Sequence, residues 1–128
     1  MKCFFPIFII VFASCQGPAH NDKSNSTEKL LERGFQSDAQ ENYGSSIKIY
    51  DSVLEKEPAN YIALVNRGRA KISLGDTTPG MLDLLASIRI HPTPQAFASR
   101  AMVEFNTNPP QAIVDLETGN RTAPGQSI

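Results

Sequence analysis

Two stretches in the middle of the chain carry apolar residues at the three- and four-residue spacing of an α-helix that buries one face. The first contains Ile47, Tyr50, Val53 and Leu54, and the second contains Met81, Leu84, Leu85 and Ile88. Helix starts are predicted where a capping residue precedes a proline, at Thr78-Pro79, Thr93-Pro94 and Asn108-Pro109. Gly75 and Gly119 stand where helices are expected to end.

A spacing of 34 residues relates one part of the chain to the next. Arg33-Gly34 recurs as Arg67-Gly68, and Glu57-Pro58 is followed 34 residues later by His91-Pro92. The apolar position Leu30 likewise matches Leu64. The spacing therefore indicates that the helices belong to an internal repeat.

These residues resemble the tetratricopeptide repeat (TPR), a unit of two antiparallel helices with a period of about 34 residues. The resemblance rests on Leu64-x-x-Arg67-Gly68, on Leu74-Gly75-Asp76 at the turn, and on the closing Pro92. It implies an all-α fold, a short α-solenoid of antiparallel helix pairs. The expected domain spans residues 27–118, with units at 27–60 and 61–94 and an incomplete third, followed by a polar tail at 119–128. Gly34 and Gly68 are expected on inner helices, where a missing side chain lets the neighbouring helix approach closely.

The first fifteen residues, MKCFFPIFIIVFASC, have a different pattern. Lys2 precedes about ten apolar residues, whereas a bilayer-spanning helix needs about 20. The stretch ends in Phe12-Ala13-Ser14-Cys15 and resembles a bacterial lipoprotein signal peptide. The resemblance implies cleavage before Cys15 and a lipid anchor on its thiol. A plain secretory signal and an uncleaved apolar anchor are the alternatives.

Residues 16–26 are rich in Gly, Pro, Asn and Ser, and they predict a flexible tether. With Cys15 lipidated, the folded domain is expected to stay close to a membrane of the bacterial cell envelope. Because Gln16 follows Cys15 without an acidic cluster, the outer membrane facing the periplasm is the expected location.

Composition and charge restrict the available chemistry. Twelve Lys and Arg residues against thirteen Asp and Glu residues give a formal charge of −1, so nucleic acid is not an expected partner. Two His residues cannot form a multi-histidine metal site, and both Cys residues lie within the first fifteen positions. Asp83 and Asp115 occupy equivalent places on outer helices and are interpreted as part of a solvated face. We therefore expect no cofactor and no enzymatic activity.

The inner helices of a TPR array line a concave surface. The resemblance implies that partner-binding residues lie there, and the expected set is Phe35, Val65, Asn66, Arg69, Ile72, Met102 and Phe105. Asn66 and Arg69 would hydrogen-bond an extended peptide or its carboxylate above an apolar floor. Some family members grip a terminal carboxylate with a Lys/Asn/Arg set, which this chain lacks in full. The competing interpretations are core packing for Phe35, Met102 and Phe105, and a solvated side chain for Arg69.

The predicted function is a membrane-tethered protein–protein interaction module that presents this groove to a segment of an envelope protein. Two alternatives stay open. In one, the exposed end of the incomplete third unit drives self-association of a structural envelope component. In the other, the chain is a truncated relative of a larger TPR lipoprotein.

Overall fold

Six α-helices form all the regular structure of the computed structural model, which describes residues 22–123. They are α1 (Asp22–Ala39), α2 (Tyr43–Lys56), α3 (Tyr61–Ser73), α4 (Thr77–Ile90), α5 (Pro94–Glu104) and α6 (Pro109–Thr122). The loops between them are short, so consecutive helices run antiparallel. The pairs α1–α2, α3–α4 and α5–α6 pack closely, while α2–α3 and α4–α5 join one pair to the next. The prediction of an all-α solenoid of antiparallel helix pairs is confirmed.

Short-range hydrogen bonds mark where several helices begin. The side chains of Asn42, Asn60 and Thr93 each accept a hydrogen bond from the backbone N–H three residues later. The predicted start at Thr93-Pro94 is confirmed, with Pro94 in the first turn. The start predicted at Thr78-Pro79 is wrong, because α4 begins two residues earlier with Asp76 as its N-cap.

Close backbone contact defines the second helix pair. A Cβ atom added to Gly68 of α3 would lie 2.8 Å from the carbonyl oxygen of Gly80 in α4. A Cβ atom on Gly34 of α1 would similarly lie 2.4 Å from the ring of Tyr50 in α2. The prediction that these two inner-helix glycines permit close helix approach is therefore confirmed.

The core consists of two apolar clusters along the solenoid. The first joins the first pair to α3 and contains Leu31, Tyr50, Val53, Leu54, Ala63 and Leu64. The second contains Val65 of α3, Leu84 of α4 and Ala96 of α5. Each cluster includes residues from two successive pairs, so the pairs stabilise one another by stacking.

The domain is longer than predicted at both ends. Helix α1 begins at Asp22, within the segment expected to be a flexible tether, and α6 extends to Thr122. The prediction that Gly119 ends a helix is wrong. Gly119 is buried inside α6, where an added Cβ atom would lie 3.1 Å from Cβ of Phe97. The outer helix of the third unit, expected to be short and to end at Thr118, thus has 14 residues, as many as α4.

The predicted signal peptide at 1–15, its Cys15, and residues 16–21 of the predicted tether lie outside the described residues. Between residues 22 and 123, no helix combines the length and the apolar character needed to cross a membrane.

Candidate functional site

A cavity of about 530 Å³ opens between α3 and α5. Three of the predicted partner-binding residues, Arg69, Ile72 and Met102, meet in it. We call this cavity the α3–α5 groove, and its full lining is Arg69, Ile72, Ser73, Thr77, Ser99, Met102, Val103, Asn106 and Thr107. The groove lies between two helix pairs because α3 and α5 are the inner helices of adjacent units.

The lining of the α3–α5 groove combines one positive charge with apolar and uncharged polar side chains. None of its nine residues is acidic. Nη1 of Arg69 lies 3.5 Å from Oδ1 of Asn66, and no carboxylate among the described residues lies within ion-pair distance of Arg69. Met102 is 78% exposed. The groove thus offers an exposed guanidinium beside an apolar surface.

The other predicted groove residues lie in several different places. Val65 is only 4% exposed and packs in the second core cluster, so the prediction that it faces a groove is wrong. Asn66 is half-buried, and its Nδ2 donates a hydrogen bond of 2.8 Å to the carbonyl oxygen of Ile62. Phe35 is exposed on α1, with its ring centroid 6.4 Å from that of Tyr50.

Phe105 belongs to a second, smaller cavity of about 270 Å³, which it lines with Ala101, Met102 and Leu116. Its exposed fraction is 65%. Core packing is therefore not the role of Met102 or Phe105 within the described domain. Met102 lies at the border of the two cavities.

Asp83 is a buried ion-pair partner, and the interpretation of it as part of a solvated face is wrong. Arg67 of α3 donates to both of its carboxylate oxygens at 2.7 and 2.8 Å, and Lys71 donates to Oδ2 at 2.8 Å. Arg67 also reaches Asp51 of the preceding pair at 2.7 Å. Burial by itself raises the pKa of Asp83, but the hydrogen bonds from Arg67 and Lys71 outweigh it and leave the pKa below its ordinary value.

The third pair repeats this arrangement with Arg100 of α5 and Asp115 of α6. Arg100 donates to both carboxylate oxygens of Asp115, and Gln111 adds a hydrogen bond of 3.0 Å. Asp115 is 1% exposed, so the solvated-face interpretation is wrong here as well. Burial raises its pKa, but the hydrogen bonds, with that from Arg100 foremost, leave it below the ordinary value. Both aspartates therefore hold an inner and an outer helix together.

The spacing of arginine and aspartate along the sequence is a signal for these ion pairs. In the second pair the arginine precedes the aspartate by 16 residues, and in the third pair by 15. Such a spacing places the two residues at the same level of two antiparallel helices. An arginine and an aspartate that recur at this spacing across predicted helix pairs thus indicate a buried ion pair with two hydrogen bonds.

Glu104 departs from the pattern of the second pair. It follows Arg100 by four residues, as Lys71 follows Arg67, so a carboxylate replaces the ammonium beside the buried aspartate. Oε2 of Glu104 is buried and has no hydrogen-bond partner among the described residues. Burial and, after it, the charge of Asp115 raise the pKa of Glu104.

Replacing Glu104 by lysine is expected to raise the free energy of unfolding by about 1 kcal/mol, because the new ammonium group would bind Asp115. Urea denaturation at neutral pH measures the gain. Glu117→Lys, at an exposed position of α6, is the control and is expected to change stability by less than about 0.5 kcal/mol. An equal gain in both variants would contradict the explanation.

The pH dependence of stability tests the same carboxylate. Because the pKa of Glu104 is raised by folding, the folded chain binds more protons than the unfolded chain between pH 4.5 and that raised pKa. Glu104 thus makes the free energy of unfolding fall as the pH rises through this window. Glu104→Gln is expected to remove that contribution, and an unchanged pH profile would show that Glu104 is not its source.

Among solved structures, the chain is similar to the first TPR of Spaghetti (RPAP3) bound to the HSP90 peptide SRMEEVD. The TM-score is 0.71 at 21% sequence identity, over 80% of this chain and 83% of that chain. No protein-family model matches the chain, and no curated protein matches its sequence. The described part of the chain has the fold of a TPR domain. The fold expected from the 34-residue period is thereby confirmed.

Proposed function

We propose that this protein is a peptide-binding module that captures an extended segment of another protein in the α3–α5 groove. The observation that carries the proposal is the exposed Arg69 guanidinium, which no carboxylate of residues 22–123 neutralises by an ion pair, beside exposed apolar residues in a cavity whose lining contains no acidic residue. The peptide-bound state of the structural neighbour supports it, since a TPR domain can hold a peptide.

The chemistry of the lining restricts the segment that would bind. A carboxylate of the segment would accept charge-assisted hydrogen bonds from Arg69. An aliphatic side chain one or two residues away would pack on Ile72, Met102 and Val103. The hydroxyl and amide groups of Ser99 and Asn106 would satisfy peptide groups of an extended backbone. A terminal carboxylate is not required, because the chain lacks the full Lys/Asn/Arg set.

Photo-crosslinking in living cells tests the groove. A photoreactive amino acid replaces Asn106, an exposed lining residue, and mass spectrometry identifies the adduct. We expect one recurrent foreign protein, and Arg69→Glu is expected to lower the adduct yield by about tenfold or more, because a hydrogen bond to a charged group is lost and a repulsion is added.

Arg89→Glu is the matched control, since Arg89 is exposed in the last turn of α4 and does not line the groove. This variant is expected to leave the yield unchanged. Equal loss in both variants would indicate a general effect of charge, and no adduct from position 106 would contradict the proposal.

We further propose that the module is tethered to a membrane of the bacterial cell envelope, on the periplasmic side of the outer membrane, and that its partner is an envelope protein. The lipobox-like Phe12-Ala13-Ser14-Cys15 supports this proposal. Metabolic labelling with a fatty-acid probe is expected to modify the parent chain and Cys3→Ser, but not Cys15→Ser. Labelling that persists in Cys15→Ser would refute the anchor and leave the groove proposal untouched.

A further inference from the structure

The third helix pair presents an apolar surface equivalent to the one that α5 covers on the second pair. Leu84 directly follows the buried Asp83, is fully buried, and packs with Val65 and with Ala96 of α5. Leu116 directly follows the buried Asp115 and is therefore its counterpart. No described helix follows α6, and Leu116 is 52% exposed.

A larger apolar surface surrounds Leu116. Phe105 follows Arg100 by five residues, as Ile72 follows Arg67, and Ile72 packs against the second core cluster whereas Phe105 is exposed. We define the end patch as Met102, Phe105, Ile113 and Leu116, each of them at least half exposed. Met102, Phe105 and Leu116 line one cavity, and Ile113 lies one turn before Leu116 on the same face of α6, so the four side chains form an apolar patch of the kind that marks an interaction site.

We propose that the end patch binds the same patch of a second copy of this chain. The opposite end of the solenoid does not match it, because the exposed face of α1 carries Glu28, Lys29, Glu32 and Arg33. Stacking the end patch of one copy on α1 of the next would bury these charges against apolar side chains. A two-fold arrangement instead packs the end patch of one copy against the end patch of the other.

The charges around the end patch are compatible with this arrangement. The exposed charged residues of α6 are Glu117 and Arg121, one of each sign and four residues apart. In two copies that face each other with their α6 helices antiparallel, Glu117 of one copy can therefore lie near Arg121 of the other, and the charges beside the patch do not repel. Four residues are far fewer than the roughly 20–30 residues per partner of a standard interface. The dimer is consequently weak and depends on concentration.

Photo-crosslinking of the full chain in cells tests the dimer, with the photoreactive amino acid at Ile113. We expect an adduct of two copies of this chain. The double variant Phe105→Glu, Leu116→Glu is expected to lower its yield by about tenfold or more, because like charges would face each other across the two-fold axis. Leu82→Glu, at a similarly exposed position of α4, is expected to have no effect.

Co-expression separates loss of the interface from loss of the fold. Copies with Leu116→Glu and copies with Leu116→Lys are each expected to crosslink poorly alone and to recover the adduct together. An adduct of Ile113 with a foreign protein, no adduct, or an unchanged yield in the double variant would overturn the proposal. The double variant is expected to keep the crosslink from Asn106, so failure of the dimer and failure of the groove are distinguishable.

Discussion

Replacing Asp83 by alanine is expected to lower the free energy of unfolding by about 3 kcal/mol or more. The reason is that two cations would stay in a largely buried environment without this carboxylate. Arg67 and Lys71, whose side chains are about one-fifth exposed, would lose the carboxylate that accepts three of their hydrogen bonds. Arg67 would keep only the half-exposed Asp51, and Lys71 would lose the carboxylate it binds, and a largely buried cation without a carboxylate is strongly destabilising. Urea denaturation followed by circular dichroism measures the loss.

Asp51→Ala is the matched control, because Asp51 accepts from the same guanidinium at 2.7 Å but is about half exposed. Its removal is expected to cost less than about 1 kcal/mol, since water replaces an exposed carboxylate readily. Equal losses in the two variants would show that burial is not what makes Asp83 important.

The contribution of Asp83 to the free energy of unfolding also depends on pH. Because the pKa of Asp83 is lowered by folding, its contribution is fully present above the ordinary value of 3.8 and is lost as the pH falls through the lower folded value. The acid unfolding curve of Asp83→Ala is therefore expected to be shallower than that of the parent below pH 3.8. Parallel curves would contradict this assignment.

Replacing Gly68 by alanine is expected to destabilise the chain by about 1–2 kcal/mol. The new methyl group would lie 2.8 Å from the carbonyl oxygen of Gly80 and 3.2 Å from Cγ of Leu84. The carbonyl oxygen of Gly80 belongs to the backbone and cannot rotate away, so α3 and α4 must separate. Overpacking of this kind costs about 1–3 kcal/mol or more. The gain of about 1 kcal/mol from alanine's higher helix propensity offsets only part of that cost.

Gly44→Ala is the control for Gly68→Ala, since Gly44 is also helical but has no atom within 4 Å of an added Cβ. Here the propensity acts alone, and the variant is expected to be more stable by up to about 1 kcal/mol. Thermal or urea unfolding of the two variants against the parent measures both. Destabilisation by Gly44→Ala would mean that glycine conformation, and not helix contact, explains the effect at Gly68.

The groove could be predicted only in part. Arg69, Ile72 and Met102 line one cavity because they lie on inner helices, which line the same side of a repeat array. Val65 is also on an inner helix, one turn before Arg69 and so close to the same helix face, but it packs with Leu84 and Ala96 in the second core cluster. Which side of α3 is covered depends on how α4 and α5 pack, and a single helix pattern does not contain that information.

Helix positions were predictable because their causes are local. Thr93 and Asn108, both predicted as N-caps, precede α5 and α6, and the 34-residue period follows from repeated residue types along the chain. Gly119 shows the limit of such reasoning. A glycine near a predicted helix end is the residue type typical of a C-cap, yet Gly119 lies inside α6 and lets this helix pack close to Phe97.

The residue types and their spacing along the chain were sufficient to establish the all-α repeat and the pairing of its helices. The burial of Asp83 and Asp115 and the exposure of the end patch depended on the tertiary structure. An aspartate on a helix has the same local surroundings whether it faces water or an arginine from a helix 15 or 16 residues away. Leu84 and Leu116 occupy equivalent helical positions, and they differ in exposure because, within residues 22–123, a following helix packs against Leu84 and none packs against Leu116.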